Sequence, residues 1–313
     1  MKSGIPQGSI LGPILFVCFT NDLAKEFDQD CKVISYADDT QLIVNAKNTE
    51  ALKTKIEQAI KTAQEWYNNN SMKNNVGKTE ILIINKARNQ ENIEIDIIDE
   101  GIPRNIKPEE NIKILGIYID SSLNWEKQIK FVKKRSMNAI LNLNRLKKIL
   151  PEKTKFLLYN TIVTPHFSYA DVVWNGCSKG NATKLQSAQN FAVRIIKNKR
   201  KRDSAKQILN DMKLLNLKEK RQVHEGVFIK KALLNKLSQN ITNQYLEYLP
   251  NENTRQAETG KLNIPKHRTA TFKNSPLYRT IKVLNNIPPT INEVQPKPFK
   301  NQYQKYLIEQ KTH

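Results

Sequence analysis

The chain reads as an α+β protein that puts its strands in the first 120 residues and its helices after them. Three observations predict this. Short apolar runs punctuated by turn residues recur between positions 31 and 119. From Ser122 onward, apolar residues return at three- and four-residue spacing, broken at Pro151, at Pro165 and around 176–180. At 313 residues the chain is long enough to bury one large core or two ordinary ones.

The elements follow in order. The opening Ser3-Gly4-Ile5-Pro6-Gln7-Gly8-Ser9-Ile10-Leu11-Gly12-Pro13 is a backbone suited to close approach. It leads into an apolar helix from about 13 to 23, with Pro13 in the first turn, where a missing N–H costs little. Residues 33–35 and 41–44 read as a hairpin whose bend carries Tyr36-Ala37-Asp38-Asp39. Leu52, Ile56, Ile60, Ala63 and Trp66 mark an amphipathic helix from about 49 to 68, packed behind the sheet. Residues 81–84 read as a strand, and Ile93, Ile95 and Ile97 alternate with polar residues as a second, half-exposed one. Pro103 and Pro108 mark a loop before a strand at 112–119.

A helix from about 124 to 150 follows, its stripe formed by Ile129, Val132, Ile140, Leu143, Leu146 and Leu150. Another runs over 182–196. Residues 251–276 are polar and read as a loosely ordered linker, after which 280–284 and 299–308 form short helices. The domain reading is 1–121, 122–200 and 201–313, without internal repeats.

Asp38 and Asp39 carry the most chemistry. Two adjacent carboxylates at a bend repel one another unless cations sit between them. Two divalent ions held this way can activate a hydroxyl and stabilise the leaving oxygens of an in-line phosphoryl displacement. The plainer reading is a solvated turn, where Asp is common.

These motifs together resemble the reverse transcriptases of non-LTR retrotransposons, the jockey-like group in particular. Gly4-Ile5-Pro6-Gln7-Gly8-Ser9-Ile10-Leu11-Gly12-Pro13-Ile14-Leu15-Phe16 looks like that family's PQG motif, and Tyr36-Ala37-Asp38-Asp39-Thr40 like its catalytic motif. Asn21-Asp22-Leu23 matches the usual ending of the helix between them. Asn75-Val76-Gly77-Lys78-Thr79-Glu80 resembles the lysine-containing motif that enters a palm strand. Lys113-Ile114-Leu115-Gly116-Ile117-Tyr118-Ile119-Asp120, with Leu123-Asn124-Trp125, resembles the segment that grips the primer end. Weaker likeness continues through Tyr159, Pro165-His166, Tyr169, Val173-Trp174-Asn175, His224-Glu225-Gly226, Pro265-Lys266-His267-Arg268 and Tyr278-Arg279.

The resemblance implies a partial polymerase palm, an antiparallel sheet packed by helices, then a mostly helical thumb and a basic C-terminal tail. It implies RNA-directed DNA polymerase activity with Mg²⁺ or Mn²⁺, an RNA template, a DNA primer and deoxynucleoside triphosphates. Carried over residue by residue, Asp38 is the stronger metal ligand and Asp39 a second ligand or orienting group. Gln7 and Gly8 line the floor where template base and nucleotide meet, or are a plain helix-entry turn. Tyr36 supports the primer terminus or packs on its strand. Lys78 donates a proton to departing pyrophosphate, or is a surface lysine. Leu115 and Gly116 fit the primer-gripping hairpin, where glycine permits close backbone approach.

The family's first catalytic Asp and its fingers lie upstream of the PQG motif, and the upstream polymerase and endonuclease segments of a full element are expected partners. Asp22, Asp28 and Asp30 read as solvated charge rather than as that ligand. The chain is therefore expected to be a fragment, inactive alone.

Charge agrees with a nucleic-acid partner. Lys and Arg total 51 against 30 acids, a formal net charge of +21. Part of that excess reflects an Asn- and Lys-rich composition. Lys130, Lys133, Lys134, Arg135, Lys147 and Lys148 fall on the 124–150 helix, and Lys197, Lys199, Arg200, Lys201 and Arg202 form a tighter run after 182–196. That run tracks phosphates, signals nuclear import or is a solvated helix end.

Cys18, Cys31 and Cys177 form no CxxC pair and, like His166, His224, His267 and His313, show no zinc spacing. No signal peptide or membrane span is read, so an intracellular place, nuclear and cytoplasmic, is expected. Two rival functions stay open: a non-catalytic nucleic-acid-binding remnant of a mobile element, and another palm-type enzyme such as a nucleotide cyclase. PQG and the primer-grip segment disfavour the cyclase, which holds no template or primer.

Overall fold

The computed structural model describes residues 8–73, 75–84, 93–99, 101–251, 260–292 and 295–311. The chain divides into an N-terminal unit, Met1–Ile112, and a C-terminal unit, Lys113–His313.

In the N-terminal unit, helix α1 (Gly12–Thr20) is shorter than its apolar run. It stops at Asn21, and a 3-10 turn at Leu23–Glu26 buries Leu23. The hairpin β1 (Cys31–Tyr36) and β2 (Asp39–Val44) pairs antiparallel in the register Tyr36↔Asp39 and Val33↔Leu42. Asn48 caps α2 (Thr49–Asn69) by accepting from the Ala51 amide at 2.8 Å. One face of α2 buries Ala59, Ala63 and Trp66, while Leu52, Ile56 and Ile60 pack on a core of Val76, Ile81, Ile83, Ile93, Ile95 and Ile97.

The second hairpin, β3 (Ile95–Asp99) with β4 (Ile102–Ile106), turns its odd-numbered isoleucines, Ile95 and Ile97, into that core. Residues 81–84 correct the expected strand. Ile81 and Ile83 are buried, but among the described residues the segment joins no ladder; the Ile81 carbonyl accepts from the Glu109 amide at 2.7 Å.

The expected strand at 112–119 is instead a hairpin, β5 (Asn111–Ile114) with β6 (Ile117–Asp120). Leu115 and Gly116, both at positive φ (46° and 84°), make its two-residue turn. That combination of dihedrals matches the twist of the flanking strands. Among the described residues the strands form three separate two-stranded hairpins rather than one continuous sheet.

Asp120 ends β6 and starts the next helix. Its two oxygens accept from the Asn124 and Trp125 amides at 2.9 and 2.6 Å, which lets Trp125 sit at φ +65° before α3 (Glu126–Arg145). Ile129, Val132, Ile140 and Leu143 of α3 are buried as the stripe predicts. The helix ends at Arg145, so Leu146 leaves the stripe and stands exposed.

Helix α4 (Glu152–Leu158) runs into a π turn at Tyr159–Val163 and then α5 (Thr164–Ser168). The wide turn accommodates Pro165, which has no N–H to donate. Lys155 of α4 is buried at 1% exposure. Its ammonium donates to the Asn198 side chain at 2.9 Å and to the carbonyls of Lys147 and Ile195 at 3.5 Å. A cation there answers the negative ends of two helices at once.

Next come α6 (Asp171–Trp174), α7 (Lys179–Ile196), α8 (Ala205–Asp211), α9 (Leu217–Leu233) and α10 (Gln239–Leu246). Asn216 and Glu219 form a reciprocal capping box that starts α9. Residues 260–269 form no helix, yet Leu262 is buried and trades hydrogen bonds with the Asn285 side chain at 2.9 Å. This part of the expected loose linker is thus packed; residues 252–259 lie outside the described residues. Helices α11 (Ala270–Lys273), α12 (Pro276–Asn285), α13 (Pro289–Asn292) and α14 (Pro296–Glu309) close the chain. α12 and α14 pack on α9, where Gly226 leaves room for the Phe299 ring.

A buried polar network ties three distant segments together. Glu225 accepts from Arg279 Nε and from Asn175 Nδ2, both at 2.8 Å, and Asn175 Oδ1 accepts from Arg221 at 3.2 Å. The Arg221 guanidinium lies 4.6 Å from the Trp174 ring centre. Asp171 meets His224 Nδ1 at 2.6 Å, and Arg279 also donates to the carbonyls of Val172 and Asn274. Burial pulls the Arg221 guanidinium below its ordinary value, opposed by Cys177, Asp171 and Glu225.

Candidate functional site

The register of the first hairpin sorts its side chains onto two faces. Cys31, Val33, Thr40, Leu42 and Val44 are half-buried on one face, and the Tyr67 hydroxyl of α2 reaches Thr40 Oγ1 at 3.2 Å. The other face carries Lys32, Ile34, Tyr36, Asp39 and Ile43, all exposed. Asp39 is thus directly opposite Tyr36 on a solvent-facing surface, with Tyr36 63% exposed. Asp38 occupies the two-residue turn with Ala37, whose φ of +52° is unusual for a residue with a Cβ.

Among the described residues, no hydrogen bond or ion pair occupies the carboxylate of Asp38 or Asp39. Four hard oxygens at the tip of one hairpin suit Mg²⁺ or Mn²⁺ by ligand type. No third carboxylate joins them: among the described residues no group of three His, Cys, Asp or Glu side chains gathers to hold a metal. Asp30 is engaged by the Lys55 ammonium at 2.6 Å, which holds its carboxyl below the usual carboxylate range. Asp22 and Asp28 are exposed.

Gly8 is exposed at φ +83° with open space where a Cβ would project, so the turn demands glycine for its backbone and not for room. Ser9 Oγ accepts from the Gly12 amide at 3.0 Å and starts α1. Gln7 lies outside the described residues. Lys78 ends a 3-10 turn at Val76–Lys78 with its side chain exposed.

Leu115 and Gly116 are held from the C-terminal unit's own helices. The exposed Tyr169, just after α5, donates its hydroxyl to the Leu115 carbonyl at 2.7 Å. The hairpin is also fixed to α3, because the buried Gln128 side chain accepts from the Tyr118 amide at 3.0 Å.

Of the basic residues singled out by sequence, Lys134, Arg135, Lys199, Arg200, Lys201 and Arg202 are exposed and Lys133 is half-buried. Residues 199–202 lie in a turn closed by Asp203, which accepts from the Arg200 amide at 2.6 Å. Sequence reasoning missed an aromatic pair between hairpin and helix. Tyr118 and Phe131 meet edge to face at 5.3 Å, with cations over both rings. The signal was present, since Lys127, Phe131 and Arg135 recur every fourth residue along α3.

Comparison with known proteins gives these positions a context. Residues 1–119 match the family described as Reverse transcriptase (RNA-dependent DNA polymerase). The chain is similar to the RNA-directed DNA polymerase from mobile element jockey of Drosophila melanogaster, 24% identical over 71% of this chain and 25% of that protein. It is 27% identical to the probable RNA-directed DNA polymerase from transposon BS of the same species, over 63% of this chain and 22% of the relative. The chain thus spans about a quarter of the length of these relatives. No solved structure matches it.

Proposed function

We propose, from the match of residues 1–119 to the reverse transcriptase family, that this chain is part of an RNA-directed DNA polymerase of a jockey-like non-LTR mobile element. Such polymerases use divalent metal ions, a nucleic-acid template and nucleotide substrates. The observation that carries the reading is the hairpin tip, where Asp38 and Asp39 stand exposed beside Tyr36, without a partner among the described residues, within the matching segment.

In this reading the two carboxylates hold Mg²⁺ or Mn²⁺, with Asp38 the principal ligand. The ions supply charge neutralisation for an in-line nucleotidyl transfer when bound. Tyr36 abuts the primer terminus from the face it shares with Asp39. Gln7 and Gly8 form the floor under template base and incoming deoxynucleoside triphosphate, and Lys78 gives a proton to the leaving pyrophosphate. Leu115 and Gly116 hold the primer end, their turn pinned by Tyr169. Lys133, Lys134, Arg135 and residues 199–202 neutralise backbone phosphates. An RNA template and DNA primer imply work inside the cell, in nucleus and cytoplasm. No helix of the described residues is long and apolar enough to cross a membrane.

Two carboxylates without a third are a weak metal site, so the chain alone is expected to bind Mn²⁺ weakly and to extend primers poorly or not at all. The test is Mn²⁺-induced broadening of backbone NMR signals in the full chain. Broadening centred on residues 36–40 and abolished by Asp38→Asn supports the reading; signals there untouched at millimolar Mn²⁺ overturn it. A second reading, a metal-independent nucleic-acid binder, is favoured by the absence of a third carboxylate beside Asp38 and Asp39 among the described residues. It predicts RNA affinity unchanged by Asp38→Ala and by removal of metal.

A further inference from the structure

Lys155, Lys197 and Lys311 withdraw from solvent onto oxygen acceptors. Lys155 has the Asn198 side chain and two carbonyls, Lys197 has Glu152 at 2.6 Å, and Lys311 has Glu219 at 2.5 Å and the Leu214 carbonyl at 3.2 Å. Lys220 differs. It is half-buried, yet among the described residues its amine makes no hydrogen bond and no ion pair. What it meets is the face of Tyr159, with Nζ 5.5 Å from the ring centre. A lysine stem that merely covers apolar surface keeps its head in water. Here the head itself lies over the ring.

The seat under Lys220 is fixed. Tyr159 is fully buried, and its hydroxyl accepts from Gln189 Nε2 at 3.1 Å. The same amide donates at 3.1 Å to the carbonyl of Leu215, in the loop that leads into α9. Gln186 accepts from the Leu217 amide at 2.9 Å and so fastens the first turn of α9 to α7. The acid next in sequence is already engaged, since Glu219 is held by Lys311 and by the Asn216 amide at 2.9 Å. Lys220 also stands in the first turn of α9, where the positive end of the helix opposes a further cation.

Lysine is almost never taken out of water without a partner, and a ring face returns only part of the lost hydration. The balance favours the uncharged amine, and burial lowers it from 10.5 to about 8. A neutral amine keeps its lone pair for an electrophile.

We propose that Lys220 is a covalent modification site, an amine nucleophile that takes acyl groups from small acyl thioesters. The Nζ lone pair attacks the thioester carbonyl carbon. The C–N bond forms, the C–S bond breaks, the thiolate leaves, and the proton lost by nitrogen passes to water. The product amide is uncharged, so acylation removes the one property of Lys220 that its seat does not accommodate. No step draws on Asp38, Asp39 or a bound nucleic acid.

The test treats the full chain at neutral pH with a limiting amount of S-acetyl-N-acetylcysteamine. The remaining amines are then labelled with heavy acetic anhydride in urea, and peptide mass spectrometry reads the rate at each lysine. Lys220 is expected to acetylate about tenfold faster than Lys218 and Lys231, exposed on the same helix. That lead should shrink as pH rises into the ordinary lysine range, and vanish when the thioester is added in urea. Lys220→Gln, which carries an uncharged amide as the acylated side chain does, should melt higher than the parent, and Lys220→Arg lower. Equal rates in the native chain, or a lead that survives urea, overturn the proposal. So does a Lys220→Gln variant that melts below Lys220→Arg.

Discussion

Replacing Glu225 by leucine should be the most damaging single change in the C-terminal unit. Glu225 is 2% exposed and accepts from both Arg279 and Asn175 at 2.8 Å. In the intact network two guanidiniums, Arg221 and Arg279, face two carboxylates, Asp171 and Glu225. Glu225→Leu takes from Arg279 the carboxylate it donates to and leaves Arg221 with Asp171, and Asp171 is already bound to His224. Removing one partner of a buried ion pair costs about 3–5 kcal/mol, chiefly through the charge left behind. Arg279→Leu should cost less, because Arg221 remains to balance Glu225. For a unit of this size each kcal/mol lowers Tm by roughly 2–4 °C, so Glu225→Leu should lose about 6–20 °C. Thermal unfolding followed by circular dichroism reads it. The double variant should fall short of the sum of the singles by about 1–3 kcal/mol. Glu225→Leu within about 1 kcal/mol of the parent, or strictly additive singles, would refute the charge-balance argument.

Other outcomes follow from local geometry. Ala37→Gly should stabilise the first hairpin by up to about 1 kcal/mol, since Ala37 sits at φ +52° and glycine bears no Cβ penalty there; faster amide exchange in β1 and β2 would contradict it. Gly226→Ala puts a methyl 3.1 Å from Phe299 Cζ and 3.3 Å from Ile287 Cδ1. The overpacking, about 1–3 kcal/mol, should outweigh the helix-propensity gain of about 1 kcal/mol, and Phe299→Leu in the same chain should restore part of the loss in urea unfolding. Burial lowers the Lys220 amine from 10.5 to about 8. Its cost to folding is then fully present below pH 8, and stability should climb as pH rises from 8 to 10.5, where only the unfolded chain still holds the proton. Dimethyl-lysine ¹³C NMR should show a lysine signal titrating near pH 8 that Lys220→Met removes; uniform titration above 10 would sink the idea.

The carboxylate hairpin was legible because its information is local. Val33, Ile34, Leu42 and Ile43 flank a turn, and pairing of nearest neighbours needs nothing else. Helix α2 was legible to within a residue, because its stripe and the Asn48 cap are both written in sequence. The 112–119 segment was misread as one strand because apolar residues stand on both sides of Gly116 and no Pro, Asn or Asp marks the turn. Only the positive φ values of Leu115 and Gly116 divide it. Residues 81–84 have strand composition, yet whether a strand finds a ladder depends on partners elsewhere in the chain. The Glu225 network shows the same limit more plainly. Trp174-Asn175, His224-Glu225 and Tyr278-Arg279 were each visible as motifs, but contacts spanning about fifty residues are not inscribed in any of them. The candidate carboxylates were read from ligand type and spacing alone, whereas which face of the hairpin meets water required the register.

Helix α1 has a practical consequence. None of its nine residues is buried, and Ile14, Leu15, Val17 and Phe19 all face solvent; its one aromatic contact among the described residues is the edge of Phe19 on Trp66. An uncovered oily helix of that kind is what chaperones retain and what seeds precipitates during purification. Expression yield, more than catalytic competence, will therefore decide how this chain can be handled. Soluble material should depend on mild detergent or on polar replacements along α1, made before any assay of the carboxylates on the hairpin that follows it.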